Sequence, residues 1–333
     1  MKISVLGTGS WGSALANVLA DNGHQVQMWG KDQKEIEDID KNHHNRKFFA
    51  TELNHTIRAS ANIEVIKDSD ILLLAVPSIA LETVAKQVVP YIHKETIIVN
   101  VAKGFHPVSH ERLSLFLTKA FASKPVKIVA LIGPSHAEEV VLRLLTSVNA
   151  VSLDDQAAQV IQNVFSNGYF RVYRNSDMVG AEIGVALKNI MAIASGILEG
   201  IGQGDNAKAA LMTRGLAEIS RYGLYFGAKA KTFLGLDGVG DLIVTCTSHH
   251  SRNFMAGLAI GKADSACEFL AHNNKTVEGT YACKVVYEDA KKFGIEMPIT
   301  NEVYAVLYEN KKPSQAMQDL MARSLKAEFE LDE

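Results

Sequence analysis

The chain is poor in the features that would place it outside an ordinary reduced, water-facing compartment. It has only three cysteines in 333 residues, Cys246, Cys267 and Cys283. They are odd in number and lack Cys-x-x-Cys spacing, so neither a disulfide framework nor a cysteine metal site is expected, and a cytoplasmic location is. No block of one charge appears, and 34 basic against 37 acidic residues leave a net charge of −3. That balance points to no nucleic-acid or membrane partner. Apolar runs such as Ile71 to Val76 are far too short to span a bilayer. The Lys2 to Gly7 stretch is too short for a signal peptide and reads instead as a strand. No internal repeat or low-complexity segment is evident. His43 and His44 are adjacent and so point in different directions in either regular structure, and His249 and His250 have no cysteine or carboxylate at ligand spacing, so no metal is assigned.

What is present begins at the amino terminus. Lys2 to Leu6 is an apolar β-type run, followed by Gly7, Gly9 and Gly12 and then by a helical pattern at Ala14, Leu15, Val18 and Leu19. A strand, a Gly-x-Gly-x-x-Gly turn and a helix start, in that order, make a dinucleotide seat: Gly7 permits the turn, Gly9 lets a pyrophosphate approach, and Gly12 lets helix and strand lie close. With 47% hydrophobic residues, the chain has enough apolar material for two cores. Further strands are expected at Gln25 to Gly30, Thr56 to Ala59, Ile71 to Val76, Thr96 to Ala102 and Lys127 to Ile132. Ala150 to Leu153 and Tyr169 to Tyr173 are candidates to close the sheet. Continuous rather than alternating apolar runs imply a parallel sheet covered on both faces, hence a doubly wound α/β fold. Beyond Asp177 the pattern is helical almost throughout. The expected division is a dinucleotide-binding domain over 1–178 and a helical substrate domain over 179–333.

Ligands in such sheets lie beyond the carboxyl ends of the strands. After the second strand, Lys31 favours a 2′-phosphorylated cofactor while the neighbouring Asp32 leaves NAD open. After later strands stand Lys103 and the Gly133-Pro134-Ser135-His136-Ala137-Glu138 turn, whose Ser135 and Glu138 are spaced as a capping box. In the second half, Glu182 and Lys188 are the only charges between Met178 and Leu198. Lys188 shares its helix face with Gly180, Ala181, Gly184, Ala192 and Ser195. A lysine on a face of small residues is either snorkelling from an interface or partly buried with a lowered pKa fit for proton transfer. Asp241 ends a glycine-rich turn. Ser251 is placed to cap a helix whose first turn holds Arg252 and Asn253, a candidate phosphate seat beside the reading of a plain capped helix. Cys246 reads as a buried residue rather than a nucleophile. The acidic tail from Lys326, with Glu328, Glu330, Asp332 and Glu333, reads as solvated or disordered.

Taken in order, Gly7-Thr8-Gly9-Ser10-Trp11-Gly12, Val101-Ala102-Lys103-Gly104, Gly133-Pro134-Ser135, Ala186-Leu187-Lys188-Asn189, Thr213-Arg214-Gly215-Leu216, Gly238-Val239-Gly240-Asp241-Leu242, Ser251-Arg252-Asn253, Val277-Glu278-Gly279 and Pro298-Ile299-Thr300 resemble the bacterial NAD(P)-dependent glycerol-3-phosphate dehydrogenases. The resemblance runs over nearly the whole chain. It implies reversible reduction of dihydroxyacetone phosphate to sn-glycerol 3-phosphate, with NADP preferred and NAD open, in a cytoplasmic homodimer that supplies phospholipid synthesis. It implies Lys188 as the acid/base, with Lys103 and Asp241 beside it. Gly133, Ser135, Ser251, Arg252 and Asn253 would hold substrate. Gly7, Gly9, Ser10, Trp11, Gly12, Lys31, Lys103, Ala137, Arg252, Val277 and Glu278 would contact the cofactor. Two stretches depart from the family pattern. Val141 to Thr146 replaces small residues and a Gly-x-Pro-Thr turn, and Phe254-Met255 replaces basic residues. The 6-phosphogluconate and 3-hydroxyisobutyrate dehydrogenases, by contrast, place Lys and Asn four apart on the catalytic helix, whereas Lys188 and Asn189 are adjacent. A catalytically silent nucleotide sensor would tolerate loss of Lys188, Lys103 or Asp241, and all three are present.

Overall fold

The computed structural model describes residues 1–273, 277–325 and 327–328. Eight strands make one sheet: β1 (Lys2–Leu6), β2 (Gln25–Trp29), β3 (Arg58–Ser60), β4 (Ile71–Leu74), β5 (Thr96–Asn100), β6 (Val126–Ile132), β7 (Thr146–Val151) and β8 (Phe170–Asn175). Their spatial order is β3-β2-β1-β4-β5-β6-β7-β8. Between them run α1 (Ser10–Asp21), α2 (Gln33–Asn42), α3 (Ser78–Val88), α4 (Leu113–Ala120), α5 (Ala137–Val140) and α6 (Asp155–Phe165). Ile3 and Val5 point to one face, into a core shared with Ala14, Leu15 and Ile161 of α1 and α6. Leu6, Leu72 and Leu74 point to the other, against Leu81 of α3 and Leu117 of α4. The apolar runs lack alternation because both faces are covered.

The sheet departs from the all-parallel expectation at one place. β7 pairs antiparallel to β6, with Ala130 opposite Val151, and β8 runs parallel to β7. Only the four-residue α5 lies between β6 and β7, with no crossover helix to carry the chain back along the sheet, and the backbone doubles back. Strand ends also shift. β7 starts at Thr146 rather than Ala150 and leaves Leu153 exposed, β8 ends at Asn175, and β3 occupies the sheet edge. Arg143, in the divergent 141–146 stretch, takes a left-handed φ of 59° and makes two bonds to Asp21 of α1, at 2.8 and 3.1 Å. An ion pair thus holds a conformation that glycine adopts freely.

The carboxyl-terminal half is helical: α7 (Met178–Gly200), α8 (Asp205–Tyr225), α9 (Ala230–Phe233), α10 (Asp241–Thr247), α11 (Arg252–Ala263), α12 (Cys267–His272), α13 (Glu278–Phe293), α14 (Pro298–Tyr308) and α15 (Pro313–Met321). Asp177 caps α7 by accepting the Gly180 N–H at 3.0 Å. α7 is long and apolar enough to cross a membrane, which the shorter runs noted above are not. It is nevertheless the core helix of this half, buried from Met178 to Ile197 apart from Val179. Its small residues admit backbone. A Cβ on Gly196 would stand 2.0 Å from the Phe254 carbonyl, and one on Gly257 of α11 would stand 2.0 Å from the Ile193 carbonyl. Lys326, Glu330, Asp332 and Glu333 lie outside the described residues. Glu328 is exposed and 3.8 Å from Arg214.

Candidate active site

The glycine turn fits a dinucleotide. Gly7 has φ +123°, and a Cβ there would meet the Ala75 carbonyl at 2.3 Å; one on Gly12 would meet the Gly7 carbonyl at 2.2 Å. Nothing lies within 4 Å of where a Cβ on Gly9 would be. Gly9 is the N-cap of α1 and supplies no capping side chain, so the opening faces amide donors with the positive end of the helix dipole behind them. Ser10 begins the helix, and Trp11 is half-buried against its core. Ala137, at the start of α5, is buried in the same core, and α5 packs on α1.

Lys31 is exposed after β2. Asp32 is committed elsewhere. One oxygen accepts the Lys34 and Glu35 N–H groups at 3.0 and 3.4 Å, capping α2, and the other takes the Lys47 ammonium at 3.0 Å, which holds its pKa below the ordinary value. The Asp32 carboxylate is thus tied to the start of α2 and to Lys47.

The chemistry-bearing residues meet where α7, α10 and the carboxyl ends of β5 and β6 converge. Lys188 is buried. Its ammonium donates to Asp241 Oδ1 and to Thr245 Oγ1, the latter at 2.7 Å. Lys103 donates to the other oxygen of Asp241 at 3.1 Å and to the Gly133 carbonyl at 3.4 Å. Burial drives the Lys188 pKa down to about 7, with help from the Lys103 charge and against the pull of Asp241. Burial alone would raise Asp241, but the two ammonium groups outweigh it and hold the carboxyl below its ordinary value. Cys246 is buried and its thiol is pushed up to about 12, so it is no nucleophile at neutral pH.

Ser135 does not cap a helix as its spacing predicts. Its hydroxyl donates to the Gly133 carbonyl at 3.0 Å, and His136 stands at the N-cap of α5 without a side-chain cap bond. The helix starts one residue later than that spacing requires, at Ala137. Ser251, by contrast, does cap α11, accepting the Phe254 N–H at 3.2 Å. Arg252 is exposed beside it. The Asn253 amide turns inward, donating to Asn189 Oδ1 at 3.0 Å and accepting the Gly279 N–H at 2.9 Å, so it offers the helix mouth its backbone rather than its side chain. Phe254 is buried, which explains an apolar residue there. Val277 stands at the N-cap position of α13 without a side-chain cap bond, and Glu278 begins the helix facing a cleft of about 280 Å³ shared with Lys103 and Ser78. Burial raises the Glu278 pKa against the charges of Arg252, Lys103 and Lys188. Thr245, one turn along α10 from Asp241, was not singled out in the sequence; the i, i+4 spacing that puts both on one face was the available signal. Among the described residues no cluster of metal ligands occurs.

Two family profiles describe this arrangement. The NAD-dependent glycerol-3-phosphate dehydrogenase N-terminus matches residues 2–158, and its C-terminus matches residues 177–318. The chain belongs to this family. It is 49% identical over 330 residues to the glycerol-3-phosphate dehydrogenase (NAD(P)+) of Staphylococcus saprophyticus, covering 98% of this chain and 99% of that one. It is 46% identical over 333 residues to the protein of the same name from Shouchella clausii, covering 99% and 98%. Among solved structures, the glycerol-3-phosphate dehydrogenase of Coxiella burnetii superposes with a TM-score of 0.87 at 36% identity, over 97% of this chain and 99% of that one. That of Saccharomyces cerevisiae does so at 0.83 and 27%, with the same coverage.

Proposed function

We propose that this member of the glycerol-3-phosphate dehydrogenase family reversibly reduces dihydroxyacetone phosphate to sn-glycerol 3-phosphate, with Lys188 giving and taking the proton. The observation that carries the proposal is the buried Lys188 ammonium, held by Asp241 and Thr245 with its pKa brought to about 7. When bound, reduced NAD(P) supplies the hydride to the C2 carbonyl carbon. The oxygen then carries an alkoxide, and Lys188 transfers one proton to it and is left as the neutral amine. Lys103 and Asp241 support this change. The carboxylate keeps the ammonium positioned, and the second cation weakens its hold on the proton.

Ser251, Arg252 and the first backbone amides of α11 seat the substrate phosphate, where the helix dipole favours an anion. Gly133 and Ser135 bound the substrate from the opposite wall. Gly7, Gly9, Ser10, Trp11, Gly12, Ala137, Val277 and Glu278 line the dinucleotide. Lys31 faces the adenosine phosphate and favours NADP, with NAD open. Residues 1–178 form the dinucleotide-binding domain and 179–333 the helical substrate domain, each lending residues to the other's ligand, in a cytoplasmic homodimer that feeds phospholipid synthesis. The test is direct: purified protein oxidises NADPH only when dihydroxyacetone phosphate is added. Folded protein inert with both NADPH and NADH refutes the reading.

A further inference from the structure

Glu182 and Lys188 are the two charges within the apolar length of α7, and only Lys188 takes part in the proposed proton transfer. Glu182 is buried, six residues before Lys188 and on another face of the helix. Its carboxylate is taken up by the start of α4, 68 to 70 residues away in sequence. One oxygen accepts the Ser114 N–H at 2.7 Å. The other accepts the Ser114 hydroxyl and the Arg112 guanidinium, the latter at 3.0 Å. Arg112 is the N-cap of α4 and gives it no side-chain cap, so the Ser114 amide is an orphan donor that α7 satisfies from outside. Burial raises the Glu182 pKa against the Ser114 and Arg112 bonds, and those partners make a charge tolerable there.

The segment held in this way carries Lys103. Phe105 and Arg112 form an antiparallel bridge, the His106 N–H bonds the Glu111 carbonyl at 2.9 Å, and Phe105 is buried in the helical core. Residues 105–112 thus close on themselves as a loop, with Lys103 just ahead of its base and Gly104 between, at φ +99°. On the β5 side, the Asn100 side chain bonds the N–H and the carbonyl of Ala102, at 3.1 and 3.2 Å. The Lys103 main chain is therefore fixed from both directions, and its ammonium reaches Asp241 from there. We propose that Glu182 is a positioning residue: by holding Arg112 and Ser114 it fixes the loop that places the Lys103 ammonium on Asp241, opposite Lys188. This inference rests on the function proposed above. Asp241 and Cys246 of α10, Glu278 of α13, His136 and Lys103 all lie close enough to Lys188 to feel its charge. Of these, Lys103 stands beside the loop that Glu182 holds. The sign of the expected change is diagnostic. Loss of the Glu182 charge by itself disfavours a protonated Lys188 and moves its titration to lower pH, whereas a displaced Lys103 takes a cation away and moves it to higher pH.

The experiment measures the pH profile of kcat/KM for dihydroxyacetone phosphate reduction by NADPH in wild type, Glu182→Gln, Lys103→Met and the double variant. Glu182→Gln keeps the side-chain volume and an acceptor for the Ser114 N–H but loses the Arg112 ion pair. Its falling limb moves to higher pH by about half a pH unit, in the direction of Lys103→Met. Added to Lys103→Met it moves the limb no further, because both changes act on one interaction. Ser114→Ala, neutral in charge, gives a smaller shift the same way and replaces Glu182→Gln if that variant does not fold. Hydrogen exchange of the protein without ligands reads the contact without turnover: residues 103–114 exchange about tenfold faster or more in Glu182→Gln, while α1 is unchanged. A limb moved to lower pH, an unmoved limb in either single variant, a further shift in the double variant, or unchanged exchange overturns the proposal. With active wild-type protein those results refute the Glu182 role alone, whereas wild-type protein inert with both NADPH and NADH refutes the functional reading and this role with it.

Discussion

The Lys188 ammonium and the Asp241 carboxylate are bonded to each other where neither side chain reaches solvent, and Lys103 holds the far oxygen of the same carboxylate. One anion thus serves two cations in a buried space. The net positive balance keeps the lysine ready to release a proton near neutrality.

Replacing that lysine removes the proton donor without touching the glycine turn. Lys188→Ala is expected to lower kcat by about 10²- to 10⁴-fold, the usual contribution of a positioned general acid. NADPH affinity, followed by quenching of intrinsic tryptophan fluorescence, is expected to stay within about threefold of wild type. Near-normal kcat removes Lys188 from the mechanism.

The pH dependence has a defined sign. Reduction needs the charged lysine, so its kcat/KM falls as pH rises through about 7, while oxidation of glycerol 3-phosphate rises over the same range. Asp241 raises the Lys188 pKa and Lys103 lowers it. Asp241→Asn therefore moves the limb to lower pH and Lys103→Met moves it to higher pH. Shifts in the same direction in both variants contradict the assignment.

Cofactor choice tests the second strand end. Lys31→Glu is expected to raise KM for NADPH about tenfold or more, the scale of a lost charged hydrogen bond, with KM for NADH changed little. Equal effects on both dinucleotides place Lys31 away from the 2′-phosphate.

The α7–α11 crossing makes a stability prediction. A methyl group at Gly257 would press on backbone 2.0 Å away, which no rotamer change relieves. Gly257→Ala is expected to destabilise by about 1–3 kcal/mol in urea unfolding, outweighing the roughly 1 kcal/mol by which alanine favours a helix. Gly168→Ala, with open space around it, serves as the near-neutral control.

Local features were legible in the sequence and convergent ones were not. The glycine turn announces itself because strand, turn and helix are contiguous, and Ser251 announces its cap because capping is a three-residue affair. Lys188 stood out through the absence of charged neighbours, and burial among small residues is what that absence meant. The reversal of β7 had no local mark, since strand direction depends on what the connecting chain can span. The capping box at Ser135 has the right spacing but fails because the serine hydroxyl is bonded to the Gly133 carbonyl and α5 starts one residue further on. The inward turn of Asn253 depends on Asn189 and Gly279, far away in sequence.

The glycines that let α7 and α11 touch backbone to backbone also act as a gauge. Lys188 rides on one helix and the phosphate seat opens the other, so the span between them is set by main-chain contact. Under the proposed function, a phosphorylated ketone one methylene longer between carbonyl and phosphorus cannot engage both ends at once. Selection for a three-carbon skeleton is then a property of the helix pair, and trimming any single side chain in the cleft leaves it in force.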